Sequence, residues 1–158
     1  MIKISKLTDY AVVVLTQLSR DHGVHTVAHL AESSGIPAPT VAKLLKPLTA
    51  AGLVASHRGT NGGYALNREP ERISVAAIIT ALEGPIAVTE CVSDADSLCG
   101  VESLCPMRGN WEKINRAVRA ALEDVTLADM AAPSPWPLPP ATAQATARTE
   151  TRTGESRG

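Results

Sequence analysis

The stretch "VAHLAESSGIPAPTVAKLLKPLTAAGLVASHRGTNGGYAL", residues 27–66, contains the pattern that decides the fold. In its first half, apolar side chains recur every three or four residues, as they do on the buried face of an amphipathic helix. They form two segments, one between Thr26 and Gly35 and the other between Pro39 and Gly52. Threonine is a favourable N-cap, proline fits a first helical turn, and glycine commonly ends a helix. The first half therefore predicts two helices joined by a short turn.

The second half of the stretch has the shorter period of a β-hairpin. Residues 53–56 and 64–66 are predicted strands, and "RGTNGG" between them is rich in residues that tolerate positive φ. Two helices joined by a short turn and followed by a hairpin make a winged helix-turn-helix, a DNA-binding arrangement. Pro47 conflicts with this pattern, because a proline inside a helix removes a hydrogen bond; we expect a kink or an early end of the helix there.

Helical periodicity also dominates the sequence around this stretch. "SKLTDYAVVVLTQLSRDHG" precedes it, and "ISVAAIITALEGP" and "GNWEKINRAVRAALEDV" follow it. Ser5 and Ser74 are the predicted N-caps of the first two of these helices. The predicted apolar face of the first helix is formed by Leu7, Ala11, Val14, Leu15 and Leu18.

The last segment carries a narrow apolar seam through Trp111, Ile114 and Val118, typical of a helix that packs on its own domain or on a second copy. The polar residues of this segment that we expect to face water are Asn115, Arg116, Arg119 and Glu123. A capped final turn is expected at "TLAD", residues 126–129.

The fold class predicted from these elements is α+β and mainly helical, a winged helix-turn-helix with a long C-terminal dimerisation helix. We assign residues 1–130 to one domain, with the dimerisation helix at about 109–126. From residue 131 the composition shifts to Pro, Thr, Ala and Arg without periodicity, which predicts a disordered tail over 131–158.

Composition and charge restrict the class of protein. The chain has 158 residues, 44% of them hydrophobic, but no apolar run approaches the length of a membrane span. The N-terminus lacks a signal-peptide pattern, so we expect a cytoplasmic protein with no membrane partner. Residues 1–72 carry eight Lys or Arg against five Asp or Glu, whereas residues 83–130 carry four against nine. The two halves are therefore expected to have different partners, and the basic one permits DNA binding.

All three cysteines, Cys91, Cys99 and Cys105, lie in the segment "ECVSDADSLCGVESLCPMRGNW", residues 90–111. Four interpretations are open: buried structural thiols, a zinc site, an iron–sulfur cluster, or a thiol redox switch. The polar surroundings fit burial poorly, and the gaps are wide for structural zinc. Neighbouring acidic residues disfavour the thiolate that a redox switch needs. Thiolates spread along a loop suit an iron–sulfur cluster best.

Other candidate sites are weaker. His25 and His29 are four residues apart, but the predicted cap at Thr26 separates them, so we expect them not to share a helix face and to be solvated. His57, beside the hairpin, could touch a phosphate. No Ser-His-Asp order, phosphate-binding loop or carboxylate pair is present, so we expect no enzymatic activity.

The chain resembles the Rrf2 family of dimeric winged-helix transcription regulators. The resemblance rests on "KISKLTDYAV", the helix-turn-helix, the hairpin "RGTNGGYAL", and three cysteines before a tryptophan and a long helix. It covers about residues 1–130 and is strongest to regulators of the Suf iron–sulfur assembly operon. The family also contains the Isc-operon regulator and a nitric-oxide-sensing repressor. The resemblance implies a cluster, 2Fe–2S or alternatively 4Fe–4S, on Cys91, Cys99 and Cys105.

The family differs between branches in the fourth cluster ligand. The Isc regulator uses a histidine three residues after the last cysteine, where this chain has Arg108, which cannot ligate. The nitric-oxide sensor uses a carboxylate in its first helix that reaches the partner subunit's cluster, and Asp9 in "LTDYA" matches it. The resemblance therefore implies Asp9 of the other subunit as fourth ligand. The alternative is that Asp9 only complements the positive end of the first helix.

The DNA-binding residues follow from the fold. The second helix of the pair is expected in the major groove, and the hairpin, or wing, against the flanking minor groove or backbone of an operator. Lys43, Lys46 and Arg58 are predicted to contact phosphates, and Thr40 with Pro39 to face base edges. The other predicted contacts are the cap of the first helix and the wing residues: Thr26, Gly59, Thr60, Asn61, Gly62, Gly63 and Tyr64. Ala42 stands where the Isc regulator has an acidic residue facing bases, so the operator preference of that protein is not expected here.

The function expected from the sequence is a homodimeric, DNA-binding transcription regulator, a repressor or an activator. We expect its target genes to be those of Suf iron–sulfur cluster assembly. Its operator binding is expected to respond to a bound cluster. The alternatives are a nitric-oxide- or redox-sensing repressor of the same family and a zinc-stabilised winged-helix protein.

Overall fold

The computed structural model describes residues 4–60, 62–89 and 107–133, and it has the predicted helical character. The described residues form α-helices and one pair of antiparallel strands. The helices are α1 Lys6–Arg20, α2 Val27–Ser34, α3 Ala38–Ala50, α4 Val75–Glu83, α5 Arg108–Asp124 and α6 Leu127–Ala131. The strands are β1 Val54–His57 and β2 Gly63–Leu66, and a short 3₁₀ turn at Pro70–Arg72 precedes α4.

The predicted helix caps are confirmed. Ser5 and Thr26 accept hydrogen bonds from the backbone N–H groups of Thr8 and His29, both at 3.2 Å. Ser74 caps α4 in the same way, through the N–H of Ala77. Gly35 ends α2 with φ of 70°, a conformation in which a residue with a Cβ is strained. These local signals fix where α1, α2 and α4 begin and where α2 ends.

The core lies between α1, α3 and α4, and α6 packs against α1. It is aliphatic, as the composition requires, and the apolar faces predicted for α1 and α3 are the buried ones. Fully buried side chains come from both helices: Ala11, Val14, Leu15, Val41, Leu44, Leu45 and Leu48. Since each large buried aliphatic side chain contributes about 1.5–3 kcal/mol, these contacts dominate the stability of the domain.

Helix α3 continues through Pro47 to Ala50, so an early end at the proline does not occur. The proline leaves the carbonyl of Lys43 without its intrahelical donor. Lys43 is exposed, so water can satisfy this carbonyl, while Leu44 and Leu48 stay buried on the opposite face. Packing on that face offsets the lost hydrogen bond.

One prediction for helix α5 is wrong. We expected Asn115 to face water, yet it is only 6% exposed, and its Oδ1 accepts a hydrogen bond of 3.1 Å from the N–H of Val88. The apolar seam is instead open to solvent in the single chain, with Trp111 41% and Ile114 46% exposed. The capped turn predicted after α5 is confirmed as a capping box between Thr126 and Asp129.

Several predicted features lie outside the described residues. These are Asn61 at the wing tip, all three cysteines, and the tail from residue 134 onward. Within the part of the chain that the structure describes, no helix is long and apolar enough to cross a membrane.

Candidate functional site

The exposed face of α3 carries the residues predicted to meet DNA. Pro39, Lys43 and Lys46 are exposed, and Thr40 is half-buried. They share this face because Val41, Leu44, Leu45 and Leu48 occupy the buried one. The two lysines are one turn apart, so both ammonium groups extend from the same side of the helix. This arrangement is that of a recognition helix flanked by cations.

The wing depends on glycines at positions where two stretches of backbone lie too close together for a side chain. The N–H of Gly62 donates to the carbonyl of Gly59 at 2.9 Å, which closes the turn, and Gly59 has φ of 119°. A Cβ on Gly62 would lie 2.7 Å from the His57 carbonyl oxygen, so only glycine fits there. Arg58 and Thr60 are exposed on this turn, as a DNA-contacting wing requires.

Two backbone hydrogen bonds connect the wing to the helix-turn-helix. The N–H of His25 donates to the carbonyl of Tyr64 at 2.9 Å, and the N–H of Tyr64 donates to the carbonyl of His25 at 2.8 Å. A Cβ on Gly63 would come within 2.4 Å of the same His25 carbonyl, so glycine is needed next to this bridge. Because His25 immediately precedes Thr26, the cap of α2, the wing and the helix pair keep a fixed relative position.

His25 lies outside α2, because Thr26 caps that helix as predicted, yet its ring contacts the ring of His29. Their rings stack with centroids 5.0 Å apart and an angle of 23° between the ring planes. His25 lies just before the helix in an extended conformation, and its ring folds back over the first turn. Its Nε2 is bonded to the carbonyl of Asp21, which can only accept, so Nε2 carries the hydrogen. The pair therefore packs the end of α1 against the start of α2.

Cys91, Cys99 and Cys105 lie outside the described residues, and the structure describes only the residues that flank this segment. Among the residues described, no group of three His, Cys, Asp or Glu side chains could hold a metal ion. The described chain stops at Thr89 and resumes at Met107, one residue before α5. The hydrogen bond from Val88 to Asn115 attaches the first flank to α5, three residues before Cys91.

A second contact attaches the start of the same segment to α1. Glu83, the last residue of α4, accepts a hydrogen bond of 3.0 Å from the N–H of Ser5 and another from the hydroxyl of Thr8. The hydroxyl bond, followed by the backbone one, holds the pKa of the Glu83 carboxyl below its ordinary value. Asp9 follows Thr8 in the first turn of α1 and is exposed, free to face another molecule.

Thr8 and Asn115 are the buried polar side chains of the described residues, and both hold the segment that leads to the cysteines. Thr8 binds its beginning at Glu83, and Asn115 binds its end at Val88. Neither contact was predicted from the sequence. A threonine and an asparagine inside helices are ordinary surface features, and no local signal pairs Thr8 with a residue 75 positions away.

An apolar groove of about 570 Å³ opens between the end of α4 and α5. Its lining includes the exposed part of the α5 seam. The lining residues are Ile4, Ile79, Glu83, Gly84, Pro85, Ile86, Ala87, Val88, Trp111, Ile114, Val118 and Leu122. Exposed aliphatic and aromatic side chains gathered at one groove are typical of an interaction surface.

Comparison with known proteins identifies relatives over most of the chain. The Rrf2 family description, "Iron-dependent Transcriptional regulator", matches residues 4–133. The transcriptional regulator CymR of Bacillus subtilis is 34% identical over 131 residues, covering 82% of this chain and 89% of that protein. The transcriptional repressor NsrR of Streptomyces coelicolor is 31% identical over 140 residues, covering 86% of this chain and 93% of that protein.

Solved structures give the same result. The structure of CymR, described as the global cysteine regulator of B. subtilis, superposes with a TM-score of 0.64, covering 83% of this chain and 97% of that one. T. potens IscR superposes with a TM-score of 0.60 at 32% identity, covering 82% of this chain and 85% of that one. The winged-helix fold expected from residues 27–66 is thereby confirmed.

Proposed function

Because this chain belongs to the Rrf2 family of DNA-binding transcription regulators, we propose that it is a homodimer whose operator binding responds to an iron–sulfur cluster. The observation that carries the proposal is the double attachment of the segment leading to Cys91. Glu83 connects its start to α1, and Val88 connects its end to α5. A change among the cysteines would therefore reach α5 and also α1, which packs against both helices of the helix-turn-helix.

The donor chemistry fits such a cluster. Three cysteines supply three thiolates, the ligands that iron–sulfur clusters use, and the family description includes dependence on iron. When bound, the cluster would supply a connection among these cysteines that oxygen or nitric oxide can break. Everything else in the response belongs to the chain's own residues.

Helix α5 is the proposed dimer contact. Its exposed Trp111 and Ile114 would be buried against the partner subunit's α5, which accounts for an apolar seam left open in the single chain. In a two-fold dimer the same surface meets itself, so both recognition helices are held at one separation. Two recognition helices bind successive major grooves only when they are about one helical turn of DNA apart. A shift of α5 relative to α1 would therefore alter operator affinity.

Asp9 is the proposed fourth ligand, contributed to the partner subunit's cysteines. It is exposed in the first turn of α1, one residue from the Thr8–Glu83 hydrogen bond. A carboxylate is a harder donor than a thiolate and binds iron of a cluster less firmly. An Asp9→Ala protein should therefore still assemble a cluster but lose it faster in air, with a shifted visible spectrum.

Mixed dimers test which subunit contributes Asp9. In the first dimer, one chain carries Asp9→Ala and the other Cys91→Ala, so the remaining cluster lies on the Asp9→Ala chain. If Asp9 ligates the cluster of the partner subunit, this cluster should keep the parental spectrum and air stability. In the second dimer, both changes are in one chain, and the same contribution predicts an altered spectrum. The opposite pattern would assign Asp9 to its own subunit, and two parental spectra would exclude it as a ligand.

We further propose that the regulated genes encode Suf-type iron–sulfur assembly proteins, on the resemblance noted above. The alternative of a nitric-oxide- or redox-sensing repressor is supported by the likeness to NsrR. A second candidate, regulation of cysteine metabolism without a cluster, is favoured by the likeness to CymR, described as a cysteine regulator.

An absorbance spectrum of anaerobically purified protein separates these candidate functions. Visible charge-transfer bands support a regulator that binds an iron–sulfur cluster. A colourless protein with bound zinc would support a zinc-stabilised regulator, and a colourless metal-free protein the cysteine regulator.

A further inference from the structure

The recognition helix has an unusual chemical makeup on the side that faces outward. The α3 sequence "APTVAKLLKPLTA" contains no Arg, Asn, Gln, Asp, Glu or His. Arginine, asparagine, glutamine and the acidic residues make most of the paired hydrogen bonds that distinguish guanine, adenine and cytosine in the major groove, and lysine can also bind guanine. The two lysines of α3, Lys43 and Lys46, are the residues proposed to contact phosphates, and both follow its first turn. Direct recognition of bases by the N-terminal part of α3 must therefore use other groups.

Aliphatic carbon dominates the exposed part of the first two turns. Ala38, Pro39 and Ala42 are exposed there, and Thr40 is half-buried. Recognition helices of this class contact base edges with their N-terminal residues. The apolar group that a base presents in the major groove is the C5-methyl of thymine, which alanine and threonine methyl groups contact.

The N-terminal end of α3 also has few backbone donors for phosphate. Pro37, its N-cap, and Pro39 have no N–H. The N–H groups of Thr40 and Val41 both donate to the Pro37 carbonyl, at 2.8 and 3.1 Å. A helix end that would otherwise attract a phosphate oxygen is thus largely apolar. It is suited to lie against base methyl groups inside the groove.

The spacing of the two alanines matches DNA. Ala38 and Ala42 are four residues apart on one exposed row of α3, which continues to Lys46. Four residues span about 6 Å along a helix, close to two base-pair steps of about 3.4 Å each. Two methyl groups on the protein can therefore contact thymines at neighbouring or alternate steps, while Lys46 remains near the backbone.

We infer that α3 recognises its operator through thymine C5-methyl groups, contacted by Ala38, Pro39 and Ala42. The inference rests on operator binding and names the bases that this surface selects. It predicts that half-sites selected from random duplexes contain A·T pairs with thymines facing α3. The exposed Arg58 of the wing agrees with an operator rich in A·T pairs, because arginine favours the narrow minor groove of A·T-rich DNA.

Deoxyuridine tests the inference directly, because it lacks only the C5-methyl of thymine and keeps every hydrogen-bonding group. The selected operator is resynthesised with deoxyuridine at one thymine position at a time, in both half-sites. Affinity should fall roughly fourfold for each contacted methyl group, the ratio expected from removing about one methylene from an apolar contact. Substitution outside the half-sites should leave affinity unchanged.

Two protein variants assign the contact to α3. Ala42→Gly removes the methyl group of the protein. The affinity lost when deoxyuridine replaces the thymine that Ala42 contacts should therefore nearly vanish in this variant. Ala50→Gly is the matched control: it makes the same change at the last, exposed residue of α3 and should keep the full loss. A protein that binds its selected operator equally well with deoxyuridine throughout would overturn the inference and leave operator binding standing. Failure to select any sequence would overturn both.

Discussion

The carboxylate of Glu83 accepts a hydrogen bond from the hydroxyl of Thr8, and this bond joins the end of α4 to the first turn of α1. The two residues are 75 positions apart, and Thr8 is almost completely buried. Glu83 also accepts from the N–H of Ser5, so one carboxylate binds two donors at the start of α1. The segment that leads to the cysteines therefore begins at a residue fixed to the helix that carries Asp9.

Replacing Glu83 tests this bond through the pH dependence of stability. The hydrogen bonds lower the pKa of Glu83 in the folded state, so its contribution is present above the unfolded-state pKa of about 4.3 and is lost as pH falls through the lower folded-state value. We expect Glu83→Ala to lower the free energy of unfolding by about 1 kcal/mol at pH 7, because two partly exposed hydrogen bonds are lost.

Urea titrations of parent and variant between pH 7 and pH 3 measure the difference. It should shrink at the acid end, where the parent carboxylate is protonated. Glu69→Ala, at another exposed glutamate, is the matched control and should change stability little at any pH. A difference for Glu83→Ala that stays constant down to pH 3 would contradict the assigned role of the carboxylate.

Asn115 gives a second test of how the cysteine segment is attached. Asn115→Ala leaves the half-buried N–H of Val88 without its acceptor, which costs about 1 kcal/mol. We expect that loss of stability together with faster loss of iron in air, because the first flank is no longer bound to α5. Asn110→Ala, on the exposed first turn of α5, controls for general changes in this helix. Equal effects of the two substitutions would remove the special role of Asn115.

Lys46 tests the orientation of α3 on DNA. Each phosphate-contacting cation contributes roughly 0.9 to the slope of log affinity against log salt, so Lys46→Ala should reduce the slope by about that amount per subunit. Lys113→Ala, an exposed lysine on α5, is the control and should leave the slope unchanged. Operator titrations by fluorescence anisotropy over a range of salt concentrations provide the measurement. If Lys46→Ala keeps the parental affinity and the parental salt dependence, Lys46 lies away from the DNA phosphates.

The C-terminal tail is predicted to be dispensable. Residues 134–158 have too little periodic apolar sequence to offset the entropy lost on ordering. A chain that ends at residue 133 should keep its dimerisation, iron content and operator affinity. Size-exclusion chromatography and thermal melting of the shortened chain check this, and a large fall in melting temperature would show that Trp136 packs on the domain.

Local patterns were enough to predict most of the fold. The caps at Ser5, Thr26 and Ser74 and the buried leucines of α3 each depend on residues a few positions apart, and the structure confirms them. Features that depend on distant partners were missed. Asn115 was expected in water because its buried acceptor role requires Val88, 27 residues away.

The candidate site shows the same division. The exposed face of α3 follows from helical periodicity, so Lys43 and Lys46 were predicted correctly as exposed residues. The stacked rings of His25 and His29 were not predicted, because the extended residue before a cap can fold its side chain over the next turn. The assignment of Asp9 and the cysteines as ligands stays a prediction, since the cysteines lie outside the described residues.

The central claim is that operator affinity depends on a cluster held by the three cysteines. Operator affinity of anaerobically purified protein, measured before and after the cluster is removed by a chelator, tests it most directly. We predict an affinity change of at least tenfold, about 1.4 kcal/mol, with loss of the visible absorbance. Cys91→Ala, Cys99→Ala and Cys105→Ala should each lack the iron, keep the fold and bind like the cluster-free protein. A coloured protein whose affinity is the same with and without its cluster would contradict the account.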